Sequence, residues 1–103
     1  MKDRKAIECL GALAQETRLA AFRLVVMAEP QGLRSGEIAA HLKVNPATLS
    51  RHLAQLERAG LLKCKRVERE ARYTVDWKNT ESLLDFLTED CCQLTTGQEL
   101  ASQ

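Results

Sequence analysis

The stretch Asn45–Gly60, NPATLSRHLAQLERAG, decides how the rest of the chain is read. Asn45 can cap a helix, and Pro46 suits the first turn because its ring presets φ and its missing N–H had no partner there. Leu49, Leu53 and Leu56 recur at i, i+4 and i+7 and make one apolar stripe. Gly60 supplies the left-handed stop. The opposite face carries Ala47, Arg51, Ala54 and Arg58, flanked by Thr48 and Gln55, with no acid before Glu57. Such a face fits a DNA major groove and offers an Arg fork and short donors to base edges and phosphates. An ordinary amphipathic surface helix shows the same stripe, so the neighbouring segments decide.

Upstream, Ser35 is placed as the cap of a third helix with Ile38, Ala39 and Leu42 facing inward. Lys43-Val44 then form a short turn into Asn45, the spacing of a helix-turn-helix. Downstream of Gly60 the period changes to two. Leu62 and Cys64 alternate with Lys63 and Lys65, and Ala71, Tyr73 and Val75 alternate with Arg72 and Thr74. Cys64 is accordingly expected to point into the core. The connection Val67-Glu68-Arg69-Glu70 closes a β-hairpin, a wing whose Arg66, Arg69 and Arg72 are in reach of phosphates or a minor groove. The DNA-contacting set is therefore Asn45, Ala47, Thr48, Ser50, Arg51, His52 and Gln55, with Arg66, Arg69 and Arg72 on the wing. His52, at the edge of the leucine stripe, fits packing or phosphate contact as well as base reading. His41 reads as surface.

At the N-terminal side, Lys2–Ala14 reads as a first helix with Ile7, Leu10, Leu13 and Ala14 on one stripe. Gln15–Glu29 reads as a second helix, apolar over most of its surface and expected to be the most buried. Pro30-Gln31-Gly32 ends it. Arg18 within it suits a phosphate, Glu16 or a helix C-terminus. Trp77 reads as a packing anchor. A last helix is expected from Asn79 to about Cys92, with Leu84, Leu87, Cys91 and Leu94 at a/d-like spacing and Leu83 and Phe86 broadening the stripe. A small core has little left to cover that stripe. Ile7, Leu10, Leu84 and Leu87 are therefore expected to form a two-fold dimer interface. The fold class is mainly α with a β-hairpin, a winged helix-turn-helix over residues 1–92, followed by a polar, frayed tail at 93–103.

Composition supports one domain. The chain has 103 residues, 45% hydrophobic and 4% aromatic, so the core must be built from Leu, Ala and Val. The net charge of +1 is unevenly spread. Between Pro46 and Arg72 seven basic residues outnumber Glu57, Glu68 and Glu70, whereas from Asp76 onward Lys78 is the only base beside six acids. A basic middle beside an acidic end fits a protein that turns one face to phosphates. No apolar run approaches the ~18 residues of a membrane span, and the N-terminus has acids too close to its apolar residues for a signal peptide. The expected location is cytoplasmic, with the four cysteines as thiols. No Ser/His/Asp set, phosphate loop or Cys/His motif of catalytic spacing is present, so an enzyme is not expected.

The runs ALAQETRLAAFRLVV (12–26), GEIAAHLKVNPATLSRHLAQLERAGLL (36–62) and ARYTVD (71–76) resemble the ArsR/SmtB family of winged-helix repressors. The resemblance covers about Ile7 to Cys92. It implies a homodimer of order ααααββα that binds operator DNA and releases it when an inducer, often a metal or metalloid ion, binds. Two sensor sites of the family are missing. Where a Cys-x-Cys would open the third helix, the chain reads Leu33-Arg34-Ser35-Gly36-Glu37, and its last helix has no His for a zinc site. Cys91-Cys92 in LTEDCCQ resembles an arsenic-responsive branch with a Cys pair there, usually joined by a third Cys in the tail, which is absent here.

Trivalent arsenic or antimony prefers thiolates to imidazole or carboxylate. Adjacent cysteines on a helix lie ~100° apart, so Cys91 and Cys92 would grip one ion only if the last turn opens. Three readings stay open. The pair suffices for an organoarsenical whose third valence is to carbon. Cys9, from the same or the partner subunit, completes a site for arsenite or antimonite. Or the pair senses oxidants through disulfide or persulfide chemistry. Glu89, Asp90 and the helix dipole should raise thiol pKa values and so disfavour the last of these. No organic cofactor is expected.

Overall fold

The computed structural model describes residues 1–94, and the frayed-tail expectation for 95–103 lies outside them. The order is α1 (Asp3–Leu13), α2 (Glu16–Met27), α3 (Ser35–Leu42), α4 (Pro46–Arg58), β1 (Leu62–Val67), β2 (Glu70–Val75) and α5 (Trp77–Thr88). This is the ααααββα winged helix-turn-helix expected from the sequence.

The leucine stripe of α4 is the axis of the core. Leu49, Leu53 and Leu56 are fully buried against Ala21 and Val25 of α2, Ile38 of α3 and the strand-entry pair Leu61 and Leu62. Each such leucine contributes about 1.5–3 kcal/mol of hydrophobic burial. α1 approaches through the small residues Ala6, Cys9 and Ala12, and α5 through Thr80 and Leu83. The second helix was expected to be the most buried, and a smaller share of its residues is exposed than in any other helix. It sends Ala21, Leu24 and Val25 inward, while Leu19 and Met27 are exposed on its far side. α2 packs against α1, α3, α4 and β2, so it shares the centre of the fold with α4.

The junctions are built by polar contacts. Asn45 Oδ1 accepts from the N–H groups of Ala47 (2.9 Å) and Thr48 (3.3 Å), which caps α4 as its sequence implies. Ser35 does not cap α3. Arg34 holds the cap position, its N–H donating to Glu37 Oε1 at 2.8 Å, and Ser35 is the first helical residue. The turn between α3 and α4 passes through Lys43 in the left-handed region. Gly60 ends α4 at φ +84, where a Cβ would meet Asn79 Nδ2 at 2.6 Å, and that amide donates to the Gly60 carbonyl at 2.8 Å. Glu29, past the end of α2, accepts from Val75 N at 3.0 Å and from Trp77 Nε1 at 2.9 Å, so Trp77 is anchored by its indole N–H.

The wing is a six-residue antiparallel ladder from Leu62↔Val75 to Val67↔Glu70. It closes through Glu68 and Arg69, both at positive φ, a two-residue turn tighter than the four-residue connection read from the sequence. Leu33 bridges Tyr73 and so adds a short third edge at the base. Beyond Leu62 every remaining residue of β1 is exposed, whereas β2 stays half-buried or buried and Tyr73 packs against the core. Cys64 is therefore exposed rather than core, on the outer strand of the hairpin across from the half-buried Tyr73.

α5 begins two residues earlier than expected because Asp76 caps it, accepting from Asn79 N at 3.1 Å. It also ends earlier, at Thr88, whose hydroxyl folds back on the carbonyls of Leu84 and Asp85. Cys91 and Cys92 thus lie in a turn beyond the helix rather than on its last turn.

Candidate nucleic-acid interface and thiol pair

Three surfaces carry the sequence-derived site residues. The first is the outer face of α4. Ala47, Thr48, Ser50 and Arg51 are exposed, Gln55 is half-buried, and no acid stands in the first turn. Asn45 is exposed, but its side-chain oxygen is committed to the cap. Arg51 stands free of ion pairs among the described residues, so its guanidinium is open for a base edge or phosphate. Arg51→Ala is expected to weaken operator binding about tenfold or more in a gel-shift titration at fixed salt; unchanged affinity would remove Arg51 from the interface.

The wing is the second surface, and it splits. Arg69 is exposed at the tip, and Arg66 Nη2 donates to the Arg69 carbonyl at 3.2 Å, bracing the turn. Lys63 and Lys65 of β1 are exposed too. They were counted in the basic stretch but not placed among the contacts, and the projecting wing presents both. Arg72 behaves differently. It turns back to the base, Nη2 lying 3.1 Å from Glu70 Oε2 and Nη1 donating to the Gly32 carbonyl at 3.2 Å. Glu70 Oε1 in turn pairs with Arg34 at 3.4 Å. Arg34 also pairs with Glu37, whose carboxyl is held below the usual carboxylate range by the Arg34 backbone N–H and then by its guanidinium. Arg72 is thus held between the wing and the turn before α3, and Arg66 and Arg69 are the wing's exposed arginines.

His52 is half-buried on the shoulder of α4, with Nδ1 3.3 Å from Arg18 Nη1. Arg18 also donates through Nε to the Ala12 carbonyl at 2.6 Å, so its partner is the C-terminus of α1. Periodicity could not have shown this contact between residues 34 apart. His41 is exposed near the end of α3.

Thiols and leucines make the third surface. Cys91 and Cys92 are exposed, their Sγ atoms 3.0 Å apart. The turn, with Cys92 at φ +69, brings together two thiols that a continuing helix would splay. The contact with Cys91 pushes the Cys92 thiol pKa up. Cys9 is elsewhere. It is fully buried, its thiol donates to the Ala59 carbonyl at 3.3 Å, and burial raises its pKa. Among the described residues no three Cys, His, Asp or Glu side chains are grouped to hold an ion. Brief alkylation of the native protein is therefore expected to label Cys64, Cys91 and Cys92 and spare Cys9 until denaturant is added, read by peptide mass spectrometry; early labelling of Cys9 would contradict its place in the core. On the helix before the pair, α5 exposes Leu84 (58%) and Leu87 (53%), and α1 exposes Ile7 (68%) and Leu10 (42%). Among the described residues no helix is long and apolar enough to cross a membrane.

A capped helix with no acid in its first turn, following a tight turn and beside a basic hairpin, defines a winged helix-turn-helix DNA-binding regulator. The comparisons agree. Residues 13–65 match a family described as a helix-turn-helix domain. The transcriptional activator HlyU of Vibrio cholerae is 30% identical over 89 residues, covering 86% of this chain and 80% of HlyU. An ArsR-like transcriptional regulator from Rhodococcus sp. RHA1 superposes with TM-score 0.78 at 22% identity, over 96% of this chain and 89% of its own. A homodimeric winged helix-turn-helix DNA-binding domain from Mycobacterium bovis, a possible ArsR-family regulator, does so with TM-score 0.63 at 21% identity, over 95% and 96%. The chain belongs to the ArsR family of winged-helix transcriptional regulators.

Proposed function

We propose that this regulator is a homodimeric repressor that leaves its operator when a trivalent arsenic or antimony compound binds Cys91 and Cys92. The observation that carries the reading is the 3.0 Å approach of two exposed thiols just beyond a helix that bares Leu84 and Leu87. A soft, thiophilic centre suits two sulfurs. In the reaction, an arsenical bearing two hydroxyls exchanges each for one thiol sulfur. Two As–S bonds form, and each hydroxyl leaves as water with a thiol proton. A monosubstituted arsenical suits the two-thiol turn, because its third bond is already to carbon. Cys9 of the same chain is buried and hydrogen-bonded, so arsenite or antimonite would need a hydroxide or a third donor from elsewhere.

Dimerisation is part of the proposal. Ile7, Leu10, Leu84 and Leu87 form an uncovered apolar surface on two helices, as a two-fold interface requires. The Mycobacterium bovis fold relative is described as homodimeric. A ligand at the end of α5 adjoins that interface and can alter the spacing of the two α4 helices, the two-state element that allosteric release needs. The 3.0 Å contact also suits oxidation to a disulfide, but the raised Cys92 thiol keeps the thiolate scarce and slows attack on an oxidant. HlyU is named an activator, so the sign of regulation is tested directly. A reporter carrying the operator should be silent until a methyl- or phenyl-substituted arsenical is added. Constitutive expression that the protein raises would make it an activator.

A further inference from the structure

We infer that Arg18 is a positioning residue for DNA recognition: it holds His52 as the tautomer protonated on Nε2, so that the ring donates one neutral hydrogen bond to a DNA phosphate. This rests on the proposal that α4 reads DNA.

Arg18 is fixed at both ends. Its backbone N–H donates to Gln15 Oε1 at 2.9 Å in the first turn of α2. Its guanidinium bonds the Ala12 carbonyl at 2.6 Å and reaches the Gly11 carbonyl at 3.5 Å. Both carbonyls belong to the last turn of α1, where intrahelical donors run out. What remains is Nη1, 3.3 Å from His52 Nδ1. A guanidinium has donors and no acceptor, so Nδ1 must accept, and in the neutral ring the proton then sits on Nε2. Among the described residues Nε2 has no hydrogen-bond partner.

Location assigns the ligand. At 100° per residue, His52 lies between the buried Leu49, Leu53 and Leu56 on one side and Thr48 and Gln55 on the other. The shoulder of a helix seated in the major groove faces the sugar–phosphate wall rather than base edges. A phosphate offers only acceptors, which a single Nε2–H matches.

Two substitutions separate this role from internal bracing. Glutamine puts an amide N–H near the place of Nε2, whereas asparagine puts an amide oxygen near Nδ1, where Arg18 can still reach it. His52→Gln should bind operator within about twofold of wild type. His52→Asn should lose about tenfold, the scale of one hydrogen bond to a charged group. That loss should be equal on operator and random-sequence DNA, with an unchanged salt slope, because a neutral donor displaces no counterion. Long-range proton–nitrogen NMR of wild type should show His52 protonated on Nε2, and Arg18→Lys should blur that signature while keeping the fold. The inference is overturned by a proton on Nδ1, or by strong binding in His52→Asn with weak binding in His52→Gln. If Arg51→Ala also leaves affinity unchanged, the DNA face of α4 is itself misassigned; if Arg51→Ala weakens binding while the His52 variants behave in reverse, only the role of Arg18 and His52 falls.

Discussion

A chain carrying both Leu84→Glu and Leu87→Glu should sediment as a monomer and lose operator affinity by about 10²-fold or more. Leu84 and Leu87 are more than half exposed in the single subunit, so their replacement removes nothing from its core. Leu83, the α5 residue that does enter the core, is untouched. The thermal transition of the subunit should therefore hold while association fails. In the dimer each substitution appears twice about the two-fold axis. Carboxylates would then lie in an apolar contact with nothing to pair them, and burial of unpaired charge is costly. The loss on DNA follows because two linked recognition helices bind with an avidity about 10²–10⁴ beyond either alone. Sedimentation of an intact dimer with both substitutions would move the interface away from α5.

Replacing both Cys91 and Cys92 by serine should leave operator affinity as it was and abolish release by a monosubstituted arsenical. Both residues lie on an exposed turn outside the helices and strands, and serine keeps their size. The hydroxyls are hard donors with little affinity for a soft centre, so the site should vanish without change of shape. Either single substitution should also fail at low inducer concentration, since the gain from two adjacent sulfurs is that the second bond forms within one molecule. Release that persists in the double variant would place the inducer elsewhere.

Much of this was legible in the chain itself, because it rests on local rules. Asn45-Pro46 and Gly60 bound α4 as capping chemistry says they must, and the leucines at 49, 53 and 56 found the core face. The thiol pair and the apolar residues of α1 and α5 stand out in sequence because each breaks a pattern that burial alone would explain. What was not legible depends on contacts between distant residues. Cys64 obeys strand alternation, yet only the fold shows that β1 beyond Leu62 is left outside while β2 packs inward. Arg72 reads like any wing cation until Glu70 and the Gly32 carbonyl are seen to hold it. The apolar circumference of α2 rightly marked a central helix, but not that Leu19 and Met27 would be left outside. The end of α5 carries no Gly or Pro, so the turn that gathers Cys91 and Cys92 had no signal. Arg18 and His52 meet across three helices, which no periodicity encodes.

Release of DNA through Cys91 and Cys92 is measured by fluorescence anisotropy of labelled operator bound to the wild-type protein, titrated in separate arms with a methyl- or phenyl-substituted trivalent arsenical, arsenite, zinc and peroxide. The substituted arsenical should return the DNA to its free signal at about one equivalent per subunit, by the chelation argument above, ahead of every other arm. A complex that holds through saturating arsenical, or that lets go only with zinc or peroxide, would contradict release through this pair.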